Sequence, residues 1–81
     1  MAPWPSPGGL SFVVYVDGER VIARVSAEVL QLHFGAANPG DATLARAFYA
    51  HAGHLQERAV RQYRLRPAQP LDLVMDDTGP G

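Results

Sequence analysis

The run "SFVVYVDGERVIARVS", residues 11–26, constrains the fold more than any other part of the chain. Phe12, Val14 and Val16 alternate with Val13 and Tyr15, and Val21, Ala23 and Val25 alternate with Ile22 and Arg24. A period of two is that of a β-strand, whose successive side chains point to opposite faces. Asp17-Gly18 stands between the two runs, and this pair accepts the positive φ that a two-residue turn requires. The stretch is therefore predicted to be a β-hairpin with Phe12, Val14, Val16, Val21, Ala23 and Val25 on one apolar face. A loop widened to four residues by Glu19 and Arg20 would keep the same rows together, because the two registers differ by an even step.

A hairpin that packs one face on a core is usually polar on the other. Here the other face carries Val13, Tyr15 and Ile22 beside Arg20 and Arg24. Either these are scattered exposed apolar groups, which folded proteins tolerate, or the face is covered by a partner chain or by the N-terminal segment. A domain of 81 residues buries only about 60% of the surface its unfolded chain exposes, so its core is thin and a partner would add to it.

Composition excludes several classes. With 47% hydrophobic and 19% charged residues, the chain is composed to fold rather than to stay disordered. A net charge of -1 supplies no field to gather nucleic acid or an anionic membrane. Cysteine is absent, which removes disulfides, thiolate nucleophiles and cysteine-based zinc sites and fits a reducing compartment. The opening "MAPWPSPGG" has neither the basic nor the apolar region of a signal peptide. No run reaches the length of a membrane span. The expected location is the cytoplasm, with no membrane partner.

The remaining elements follow from punctuation and period. Residues 1–10, with Pro3, Pro5, Pro7, Gly8 and Gly9, are expected to be a flexible tail, with Trp4 either solvated or folded back as a lid. In "VSAEVLQLHFGA" Ser26 is a helix N-cap, Glu28 suits the positive helix end, Leu30 and Phe34 form a narrow stripe, and Gly35 is the left-handed stop. His33 falls in the last turn, where capping or packing accounts for it without a ligand. "ANPGD" is a turn with Asp41 as the next cap. From Ala42 to about Arg66, Leu44, Phe48, Ala52, Leu55, Ala59 and Tyr63 recur at helical spacing until Pro67 and Pro70 end the run. Gly53 in that helix is expected to mark a close crossing or a kink. "LDLVMDD" alternates as a third strand, and residues 77–81 are expected to fray.

The predicted architecture is a single α+β domain over residues 11–76, in the order β-β-α-α-β. It has two layers: a small antiparallel sheet, made of the hairpin and a C-terminal strand, with two helices packed on one face. The third strand could pair beside either strand of the hairpin. The expected core is Phe12, Val14, Val16, Val21, Ala23, Val25, Leu30, Phe34, Leu44, Phe48, Leu55, Leu71 and Leu73.

Candidate chemistry is sparse. His51 and His54, with Glu57 three further on, suggest a metal face, but at 100° per residue His51 lies beside the apolar stripe, His54 near the solvent flank and Glu57 beyond it. A site would also need further ligands from elsewhere. Arg58, Arg61 and Arg64 crowd the end of the long helix, where a basic run could track phosphates. Cations also favour a helix C-terminus, and Glu57 with Arg61 makes a favourable i,i+4 pair. No serine sits in a strained nucleophile elbow and no glycine-rich phosphate loop is present. The expectation is a non-enzyme with no cofactor.

The blocks "VDGERVIARVSAEVLQLHFGA" and "LARAFYAHAGHLQERAVRQY" resemble a small bacterial family, domain of unknown function 1488. The likeness lies in the aromatic-then-valine strand, the VDG turn and the V-S-x-E-x-L-x-x-H-F-G-A block, and it spans about residues 11–75. Phe48, His51 and Glu57 follow at the expected distance. The resemblance implies a compact two-layer α+β domain and no known activity. Ser26, Glu28, His33, Phe34 and Gly35 match the motif, and each also has a folding role. The proline-rich N-terminus and the long loop "GAANPGDATL" depart from the pattern, so the resemblance says least about those segments.

The function expected from the sequence is a small non-catalytic interaction module. It would self-associate as a homodimer, or bind another protein, through an outer face made of Val13, Tyr15, Ile22 and Val74. The alternatives are a nucleic-acid-associated regulator using Arg58, Arg61 and Arg64, and a metal-binding protein using His51 and His54.

Overall fold

In the computed structural model, which describes residues 2–74, the chain runs β1 (Trp4–Ser6), β2 (Gly9–Val16), β3 (Glu19–Ser26), α1 (Ala27–His33), α2 (Asp41–Ala50), α3 (Ala52–Leu65) and β4 (Leu71–Asp72). Met75, Asp76 and residues 77–81, assigned above to the end of the third strand and a frayed terminus, lie outside the described residues. The sheet order is β1-β2-β3-β4.

The hairpin closes on two residues. Asp17 and Gly18 take φ of 52° and 85°, both positive as the type I′ turn demands, and Val16 stands opposite Glu19. This register brings Val14 to Val21, Phe12 to Ala23 and Leu10 to Val25 on the helix-facing side.

The expected tail is partly a strand. Trp4–Ser6 pairs antiparallel with Gly9–Ser11 across a tight Pro7-Gly8 turn, in which Gly8 takes φ 81°. Proline supplies the fixed negative φ and glycine the positive one, the order a type II turn uses. Pro5 lies opposite Leu10, between the bonded pairs Ser6–Gly9 and Trp4–Ser11, so its missing N–H breaks no rung. The turn is pinned to the start of α1 by the Ala27 N–H, which donates to the Gly8 carbonyl at 2.7 Å. Gly9 permits that approach. A Cβ there would overlap the Val25 carbonyl oxygen and lie 2.8 Å from Ser26 Cα.

Ser26 caps α1 as expected, its hydroxyl accepting from the Val29 N–H at 3.0 Å. Gly35, at φ 78°, ends the helix, and the Phe34 and Ala36 amides both fold back to the Leu30 carbonyl. The N-cap of α2 is Gly40, not Asp41, which lies inside the first turn.

The single long helix read from the periodicity is two helices. It breaks at His51, φ -127°, whose N–H donates to the Phe48 carbonyl and whose own carbonyl accepts from Leu55. Gly53 lies two residues beyond the break, and a Cβ on it would meet nothing within 4 Å, so it marks no close crossing. The apolar stripe runs through the break unchanged, which is why spacing alone does not show it.

The sheet is mixed rather than antiparallel. β4 pairs beside β3 in parallel, Ala23 opposite Leu71 and Arg24 opposite Asp72. The direction follows from α3, whose end lies at the hairpin turn: Arg64 Nη2 meets Asp17 Oδ1 at 3.2 Å, and the Tyr63 hydroxyl donates to Glu19 at 3.1 Å. The chain thus re-enters the sheet at the end where β3 begins and must run the same way. The strand is only two residues long, because the Gln62 amide then takes the Asp72 carbonyl at 2.7 Å and the Val74 N–H at 2.9 Å.

The core lies between the sheet and the three helices. Every residue expected there is buried, together with Leu10, Ala36, Ala47 and Ala59. Phe12 and Phe48 meet at its centre with ring centroids 5.0 Å apart.

The close approach at Gly9 sets a test. Gly9→Ala should cost about 1–3 kcal/mol, since rigid backbone must move to admit the methyl group. Gly53→Ala, in open helical space, should add up to about 1 kcal/mol. Urea unfolding of both variants should show midpoints moving in opposite directions.

Candidate functional site

Part of the edge of β2 has no strand partner among the described residues. In a two-residue hairpin the closing pair exchanges both backbone bonds, and bonding alternates from there. Val16, Val14, Phe12 and Leu10 therefore bond to β3, while Ser11, Val13 and Tyr15 turn their N–H and C=O groups the other way. Ser11 meets Trp4 of β1 on that side. β1 stops there, so Val13 and Tyr15 face no strand among the described residues.

Beside this edge runs an open groove of about 930 Å³, with Tyr15 on the strand side and Gly53, Glu57, Val60, Arg61 and Leu65 on the α3 side. Tyr15 is 58% exposed and Leu65 81%. Gly53 widens the groove by presenting no side chain. The i,i+4 side-chain pair expected between Glu57 and Arg61 does not form, and no side-chain hydrogen bond or ion pair joins either residue to another described one.

The four residues expected to share an outer face are not one patch. Val13 and Ile22 are register partners, with Tyr15 next along β2 on the same face. Val13 is only 4% exposed and Ile22 is half-buried, which leaves Tyr15 as the exposed member. Trp4, opposite Ser11, is 38% exposed and extends that face towards β1. Val74 is elsewhere. It has left the sheet and lies against α3, held by Gln62 and by Arg58, which donates to the Val74 carbonyl at 3.3 Å.

The three arginines also separate. Arg58 faces the β4 side, Arg64 is bonded to Asp17 at the hairpin turn, and Arg61 stands between them beside the groove. Steps of three along a helix turn each successive residue by about 60°, so the three cannot form one stripe. His51 and His54 converge on a different partner, the Phe34 ring, at centroid distances of 5.1 and 5.7 Å. Among the described residues no group of three or more His, Asp or Glu side chains could hold a metal ion. His33 lies exposed in the last turn of α1.

At the hairpin turn, burial and then the hydrogen bond and charge of Glu19 raise the Tyr63 phenol above its ordinary 10.0. Sequence spacing could not reveal this contact, since the two residues are 44 apart.

These features define a small two-layer α+β domain with part of the β2 edge left open beside a helix. Residues 6–73 match the family described as "Protein of unknown function (DUF1488)", and the chain belongs to that family. No curated protein and no solved structure matches the chain. No helix among the described residues is long and apolar enough to cross a membrane.

The Tyr63 contact predicts a pH response. A phenol whose folded value is raised favours folding below its unfolded value and loses that contribution as pH climbs through the folded one. Phenolate absorbance should show one tyrosine titrating above 10.0, and Glu19→Gln should move it back towards that value. A tyrosine titration unchanged by Glu19→Gln would contradict the contact.

Proposed function

We propose that this protein is a small non-catalytic interaction module that docks protein through the free edge of β2. The observation that supports it is the register, which leaves the backbone groups of Val13 and Tyr15 facing an open groove. Unpaired strand edges are templates for another strand, and folded proteins usually blunt them with lysine, proline, a bulge or a covering element. The length without a strand partner is Val13-Val14-Tyr15-Val16, of which Tyr15 is the exposed residue, and it carries none of those residues. An incoming strand gains main-chain hydrogen bonds from the edge and side-chain contacts from the groove, the mode of β-strand addition. The Tyr15 ring adds a large, stiff contact surface next to it.

Tyr15→Pro tests this. Proline deletes an edge-facing N–H while leaving the β3 ladder intact, so the fold should persist. Tagged protein expressed in its host beside an untagged copy should capture that copy or another protein. Capture should be lost in Tyr15→Pro and kept in Tyr15→Phe. Equal capture by the wild type and Tyr15→Pro, or none by the wild type, would refute the docking edge.

A further inference from the structure

We infer that the occupant of the β2 edge is a second copy of this chain, related by a two-fold axis near Val14. Val13 of each copy stands opposite Tyr15 of the other, and Glu57 of each pairs with Arg61 of the other. This rests on the edge being a docking surface and adds what docks there. A two-fold contact must be self-complementary, each patch meeting its own image. Antiparallel pairing of one strand with itself meets that condition, because Val13 and Tyr15 each offer one donor and one acceptor outward.

The helix meets it as well. α3 runs alongside β2 and ends at the same turn, so an axis that reverses β2 also reverses α3. Val14 lies three strand residues from Asp17, roughly 10 Å, which corresponds to about six or seven helical residues back from Arg64. That level, residues 57–58, lies within about half a helical turn of residue 59, the midpoint of Glu57 and Arg61. Across an antiparallel helix pair centred at residue 59, Glu57 faces Arg61 of the second copy twice over. Both side chains are exposed on the groove side and lack an ion-pair partner among the described residues, although their spacing allows one within the helix. Val60 lies between them, half-buried, with Leu65 exposed further along, so apolar surface is covered by the same contact. A net charge of -1 per chain sets little repulsion against pairing.

The test is sedimentation equilibrium of the full chain across a concentration series. The wild type should form a dimer. Glu57→Arg and Arg61→Glu each set like charges opposite one another, and each should weaken the dimer by about tenfold or more. An equimolar mixture of the two variants should recover wild-type affinity as a mixed dimer, and so should the double exchange in one chain. Recovery on mixing is a result that simple unfolding of either variant cannot produce. A monomer at every concentration overturns the second copy as occupant, and the capture comparison at Tyr15 then decides whether the edge binds another protein. A dimer abolished by Tyr15→Pro but indifferent to both charge variants overturns the two-fold arrangement while leaving the docking edge standing. A dimer indifferent to all three overturns both.

Discussion

The turn at Asp17-Gly18 is the constraint on which the rest of the molecule depends. Two successive residues at positive φ give the loop the hand that matches the twist of the strands it joins. They also fix the pairing of Val16 with Glu19, and through it the pairing of every residue back to Gly9 with Ser26. A slip of one residue would carry Phe12, Val14, Val21 and Val25 from the core face to the solvent face. Burying side chains of that size is worth about 1.5–3 kcal/mol each, so the alternative register has no compensation available in so small a domain.

Apolar burial likewise holds the far side of the sheet, and polar contacts direct it. Leu71 and Leu73 are buried against the helices, and they anchor β4 although it has only two residues. The Arg24–Asp72 bridge, at 2.7 Å, sits with both side chains substantially exposed, and such pairs contribute at most about 1 kcal/mol. Gln62 matters for direction rather than strength. By accepting the Val74 amide and donating to the Asp72 carbonyl, it gives the departing backbone an alternative to the sheet and turns the chain onto α3.

The same economy of length shapes the other edge. β1 contributes three residues and meets β2 only as far as Ser11, and the covered part is locked by the approach of Gly9 to Val25. Beyond it, β2 continues past the end of its neighbour with α3 alongside. The open edge and its groove are thus products of unequal strand lengths rather than of any motif.

The amino-acid sequence by itself determined the hairpin, the caps at Ser26 and Gly35, the apolar stripes and hence the core. Those signals are local: a period, a turn pair, a hydroxyl three residues from an amide. The family was legible too, because its distinctive block coincides with that hairpin and first helix. Tertiary structure alone decided the pairing of Trp4–Ser6, since proline and glycine mark a tail and a tight turn equally well. It decided the break at His51, which leaves the stripe in phase, and the parallel run of β4, which depends on where α3 ends. It also moved Val74 off the sheet, spread the three arginines apart and set His51 and His54 on Phe34. Each of these rests on contacts between residues far apart in the chain, and a spacing pattern records which face a side chain occupies but not what arrives to meet it.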